Sequence, residues 1–193
     1  MTSIEEKEKS LSNQSGADSN AGDEVVRQFN PRQVALAAMA LALILVVQAL
    51  GAPKPVTAVC VNSIFILICH KLRLRAVLTV ALTSPIFAIL TGHMPAAMAP
   101  MGIAVAFANM AYVYCYFQFM KSNSIKKYCF APAAKALVMI AGAIVIVQIL
   151  NWPSSTMTLL LVFGASQFPT GLGGIWGGRY LADRISLPGE FNA

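Results

Sequence analysis

Between Glu24 and Asp183 the chain contains no carboxylate at all. A water-facing surface of that length interleaves acids with bases to stay soluble, and this one has no acids to interleave. The stretch is therefore read as a domain whose outer surface meets lipid. Composition agrees, with 57% of residues hydrophobic and 11% charged. The net charge of +6 could suggest nucleic acid, but the basic residues are scattered in short polar breaks between apolar runs. That distribution is topological and forms no nucleic-acid surface.

Residues 1–30, "MTSIEEKEKSLSNQSGADSNAGDEVVRQFN", are polar and rich in Ser, Asn and Gly. They offer too little apolar surface to offset ordering entropy, so a disordered tail is expected, without the apolar segment of a signal peptide. Residues 31–188 form the membrane domain, and 189–193 a short C-terminal tail. Cys60, Cys69, Cys115 and Cys129 lie in or beside apolar runs without metal-type spacing. They read as small hydrophobes, and no metal site is expected.

Six apolar segments are expected as helices, at about 33–52, 56–70, 76–92, 96–120, 130–150 and 154–179, giving an all-α bundle of six transmembrane helices. The second is short enough to be re-entrant, and charge decides the matter. With both termini cytoplasmic, the inner segments collect Lys7, Lys9, Arg27, Arg32, Lys71, Arg73, Arg75, Lys121, Lys126, Lys127, Arg179 and Arg184. Lys54 alone falls outside. Lys135, just inside the fifth segment, is expected to snorkel back to the inner interface. Dropping the second segment would flip every later loop and abolish the bias. The outer connections, "GAPKPV", "TGHMPA" and "LNWPSS", are short and each carries a proline. They leave no room for an external domain, so a ligand site must be built from helix ends, turns and polar groups in the bundle.

Several chemistries are missing. There is no G-x-x-x-x-G-K-[ST] stretch for ATP and no intramembrane acid for a proton or sodium relay. His70 and His93 fall on opposite sides of the proposed membrane, and no nucleophile–base set accompanies them. The expectation is a protein that is not an enzyme. The polar inventory is sparse: Gln48, Thr57, Asn62, Asn109, Asn151, Trp152, Ser166 and Gln167. Amides in hydrocarbon face a bundle interior or a cavity, either as interhelical glue or as ligand contacts. Clustered from mid-bilayer to the outer side, they suggest an outward-opening pocket, with Lys54 and His93 at its rim. Lys54 reads first as a solvated interface lysine and otherwise as a partner for a substrate carboxylate or phosphate, and Trp152 as an interfacial anchor or a lid.

The first segment aligns Ala35, Ala38, Ala42 and Ala49 along one side, with Ala38-x-x-x-Ala42 a small-xxx-small pair for close helix approach. The last segment carries "SQFPTGLGGIWGGRYLADR". Pro169 there removes one helix hydrogen bond and frees the Ala165 carbonyl, leaving Gln167 at a weak point, while the following glycines permit tight packing.

Together with "SPIFAILTGHMPAAMAPMGIAVAFAN" at 84–109, these parts resemble the substrate-binding S component of energy-coupling factor (ECF) vitamin transporters. The resemblance covers about 31–188 and rests on topology and texture; the first outer connection is shorter than in members with a long lid. It implies a prokaryotic cytoplasmic membrane protein that captures a small water-soluble, vitamin-like nutrient. Lys54, Asn62, His93, Asn109, Asn151, Trp152 and Gln167 would then contact the nutrient. Ala38 and Ala42 would meet the membrane-embedded T component, which with two ATPases supplies the energy as the S component topples in the lipid. Two other readings stay open: a six-helix scaffold without ligand, and a stand-alone facilitator.

Overall fold

A computed structural model describes residues 31–92, 94, 99–120, 125–151 and 154–185. The expected tails at 1–30 and 189–193, His93 and Trp152 all lie outside the described residues. The chain divides into two compact units, Met1–Ala35 and Leu36–Ala193. Of the first, only the opening turn of a helix is described.

The described residues form six helices and no strand: α1 Pro31–Ala49, α2 Lys54–Cys69, α3 Leu74–Leu90, α4 Ala99–Phe119, α5 Lys126–Ile149 and α6 Ser154–Arg184. Each of the six expected segments is a helix. Two of them run past the apolar run that announced them by four residues or more. α5 starts at Lys126 rather than 130, and α6 continues to Arg184 rather than 179, because Lys and Arg favour a helix while ending a hydropathy run. Three helices are long and apolar enough to cross a membrane: α1, α4 and the Tyr128–Ile149 part of α5. α2 and α3, of 16 and 17 residues, are shorter apolar helices. α6, with 31 residues, is long enough, but its Ser, Gln, Thr and Gly residues dilute its hydropathy.

Within the second unit, α2 packs against α6, α6 against α5, α5 against α4, and α4 against α3. The register can be read from the glycines. A Cβ placed on Gly173, Gly174, Gly177 or Gly178 of α6 would meet, in order, Val59, Asn62, Ser63 and Ile66 of α2. α2 and α6 are therefore parallel, with backbones close enough that only glycine fits at the nearest points. Gly142 faces Ala104 and Gly171 faces Pro132, while Lys135 lies over the Tyr112 ring. α5 thus runs antiparallel to both α4 and α6, which leaves α4 and α6 parallel to each other. The glycine stripe expected to allow tight packing is used inside the bundle, against α2.

The main apolar core gathers Phe65, Ile66, Val77, Ala81, Tyr112, Val113, Tyr116 and Ile175, with Ala40 and Ile44 of α1 joining it. A smaller cluster of Met101, Ala104, Ala108, Met139 and Ala143 fills the α4–α5 seam. The opposite side of α1 stays outside: Ala38 and Ala42 are exposed beside Met39, Leu43 and Val46.

Candidate functional site

The polar centre of the bundle is built around Lys135, which is 5% exposed. Its Nζ donates to Asn62 Oδ1 at 2.5 Å and lies 5.2 Å from the centroid of the Tyr112 ring, a cation–π distance. The Tyr112 hydroxyl donates to the Gly171 carbonyl at 2.8 Å, which fixes the phenol ring beneath the ammonium. Four helices thus converge here: α2 brings Asn62, α4 Tyr112, α5 Lys135 and α6 the Gly171 carbonyl. Gly174 lies against the Asn62 backbone, so the close α2–α6 packing also holds the Asn62 amide in place.

The expectation that Lys135 snorkels to an interface is not met. Lys135 is nine residues into α5, about two and a half turns from its start, and its ammonium points at Asn62. Among the described residues no carboxylate balances it: the sequence has none between Glu24 and Asp183, and Asp183 is exposed near the end of α6. One donor in the cluster is also unused. Asn62 is 0% exposed, and its Nδ2 has no hydrogen-bond partner; with Gln48 Oε1 of α1, it is one of two such buried side-chain atoms among the described residues. Buried amide hydrogens are seldom left unpaired, because desolvation without compensation costs about 1–3 kcal/mol.

Of the expected contact residues, Asn62, Asn109 and Gln167 are buried in the bundle. Asn109 lies one turn before Tyr112 on α4, and Gln167 one turn before Gly171 on α6. Because the two helices are parallel, both residues sit on the same side of the Tyr112–Gly171 bond. Thr170, also buried, donates its hydroxyl to the Ser166 carbonyl at 3.0 Å, adding a bond in the turn where Pro169 lacks an N–H. Lys54 is exposed in the first turn of α2, away from this polar set in burial if not in sequence order. His93 and Trp152 are outside the described residues.

Asn151 is exposed and takes a left-handed conformation, φ 48°, just after the last residue of α5 and its cap Leu150. Asn is one of the few non-glycine residues that accept this geometry at a helix end. The backbone geometry alone is reason enough for an Asn in the turn. Asn151→Gly is accordingly expected to keep the thermal midpoint within the equivalent of about 0.5 kcal/mol, and Asn151→Val to cost about 1–2 kcal/mol. A thermal melt of the two variants checks this; equal melting would sever Asn151 from the turn.

Lys135, Tyr112 and Thr170 are the members of the site that sequence reasoning missed. For Lys135 the signal was present: in "FAPAAKALVMI" it is the one base flanked on both sides by apolar residues within a span. At the opposite end of the α2–α4 pair, His70 Nε2 and Tyr116 Oη are 2.9 Å apart, and Arg179 donates to the Tyr128 hydroxyl. Comparison with protein-family models, with curated proteins and with solved structures finds no match.

Proposed function

We propose that the chain is a multi-pass protein of a prokaryotic cytoplasmic membrane, crossing it six times with both termini inside, and that it works as the S component of an ECF-type importer. In this reading it binds a small water-soluble, vitamin-like nutrient from the outer face and is not an enzyme. A membrane-embedded T component and two ATPases drive the release inward. The observation that carries the reading is the polar interior: Asn62, Asn109, Lys135, Gln167 and Thr170 are all buried between helices, with a donor of Asn62 still open. A bundle that needed only to pack would fill those positions with apolar side chains. Supporting the ECF variety of the reading, the Ala38–Ala42 face of α1 is exposed and free for a partner helix.

The scaffold reading draws on a specific observation as well. The Lys135–Asn62 and Tyr112–Gly171 bonds each tie two helices together, as interhelical glue would. The deciding experiment is mass spectrometry of the small molecules released when the protein, purified gently in detergent from cells that make it, is denatured. Capture predicts one micronutrient in near-stoichiometric amount. An empty protein that also shows no thermal shift with a vitamin panel would favour the scaffold.

A further inference from the structure

We infer that the captured compound is a monocarboxylate, and that its carboxylate is received by Lys135 Nζ and Asn62 Nδ2. The inference rests on the capture reading above and deepens it. The argument starts from charge. An ammonium among apolar helices is costly unless an anion or a full set of hydrogen-bond acceptors compensates it. Here its hydrogen bond goes to a neutral amide oxygen, and the Tyr112 ring adds only its quadrupole. No acid lies anywhere in the chain between Glu24 and Asp183. Among the described residues the one acid is Asp183, exposed near the end of α6, so the counter-charge is assigned to the ligand.

Stoichiometry then narrows the ligand. The centre offers one cation, whose two remaining N–H groups are available, and one neutral donor, the unpaired Nδ2 of a fully buried Asn62. Those two groups suit the two oxygens of one carboxylate, with net charge zero once it is bound. A dianionic phosphate would leave an uncompensated negative charge in the bundle, because among the described residues no second basic side chain is buried there. The Tyr112 hydroxyl is spent on the Gly171 carbonyl and adds no donor. Asn109 and Gln167, one turn away on parallel helices, are placed to read the neutral polar remainder of the molecule.

The reading makes Lys135 a group held for its ligand at a cost to the empty protein, the reverse of glue. The test uses the full chain, purified in mild detergent, as wild type, Lys135→Met and Lys135→Arg. Released compounds are identified by mass spectrometry, and the thermal midpoint of each ligand-stripped protein is measured. The expected result is a monocarboxylate released from the wild type and absent from Lys135→Met, with affinity down on the order of 100-fold. Stripped Lys135→Met should melt at or above the wild type, and Lys135→Arg should keep part of the binding. A second measurement needs no variant: the identified acid, re-added to stripped wild type, should raise its midpoint, and the primary amide of that acid should not.

A neutral compound in the wild type, an amide that binds as well as its acid, or a carboxylate fully retained by Lys135→Met would each overturn the inference and leave nutrient capture standing. No released compound, together with a stripped Lys135→Met that melts well below the wild type, would make Lys135 a strut and remove both.

Discussion

Gly174→Leu is expected to yield no folded, monodisperse protein, and Gly174→Ala to lower the thermal midpoint markedly. A Cβ at position 174 would overlap the Asn62 Cβ and would sit 3.0 Å from the Asn62 carbonyl carbon and 3.2 Å from its Cα. Backbone cannot swing aside as a flexible side chain can, so the two helices must separate. Overpacking of this kind costs about 1–3 kcal/mol for small additions and more for large ones, which in a chain of this size lowers the midpoint by on the order of 5 °C for alanine. The adjacent glycine is the control. At Gly173 an added Cβ meets only the Val59 methyl groups, at 3.3 and 3.4 Å, and Gly173→Ala should melt within a degree or two of the wild type. Equal losses at both positions would mean that α2 and α6 are not in backbone contact. The same displacement would move Asn62 away from Lys135, so Gly174→Ala should also weaken nutrient binding on the proposed reading.

On the proposed reading, Ala38→Trp is expected to abolish assembly with the T component and ATPases while leaving the bundle and its ligand binding intact. The expectation follows from how α1 is divided. Ala40 and Ile44 are buried, with Ile44 0% exposed, and with the partly buried Leu36, Ala37, Leu41 and Val47 they anchor the helix in the apolar core. Ala38 and Ala42 stand exposed on the rest of the surface, so an indole added there displaces lipid or a partner and touches no core residue. Close helix approach in lipid depends on small side chains, since apolar solvent offers no drive to associate. A bulky ring at the seam should therefore reduce co-purification of the partners by at least about tenfold, equivalent to about 1.4 kcal/mol. The melting temperature should not change. A complex that survives both Ala38→Trp and Ala42→Trp would place the coupling face elsewhere; a variant that fails to fold would contradict the exposure of this face.

Much of the helical layout is legible in the sequence, because a long carboxylate-free stretch broken by basic and proline-containing turns leaves helices as the only repeating element. The inward position of Asn62, Asn109 and Gln167 is legible for a related reason: an amide facing lipid has nothing to bond to. What misleads is the start of α5. Taking the helix to begin with its apolar run at 130 puts Lys135 five residues from the end, within reach of an interface. The helix begins at Lys126 instead, since Lys126 and Lys127 propagate a helix as well as any residue near it. Four extra residues carry Lys135 into the interior. Tyr112 was hidden differently, being one of five tyrosines with nothing local to mark it as the ring beneath a cation. Asn151 carries a second signal: beyond the ligand contact that its place beside a helix end suggests, its left-handed backbone gives it a role in the turn.

The parallel contact of α2 with α6 also bears on how the protein is made. Asn62 and Gly174 are separated by over a hundred residues, so the second helix leaves the ribosome long before its main neighbour exists. During that interval its central amide and the small residues around it lack the α6 contacts they make in the folded bundle. Closure of the bundle therefore waits for the last helix to be synthesised. A chain truncated before Gly174 would hold the acceptor for Lys135 without the helix that fixes it, and quality-control proteases would meet it as an unfinished product.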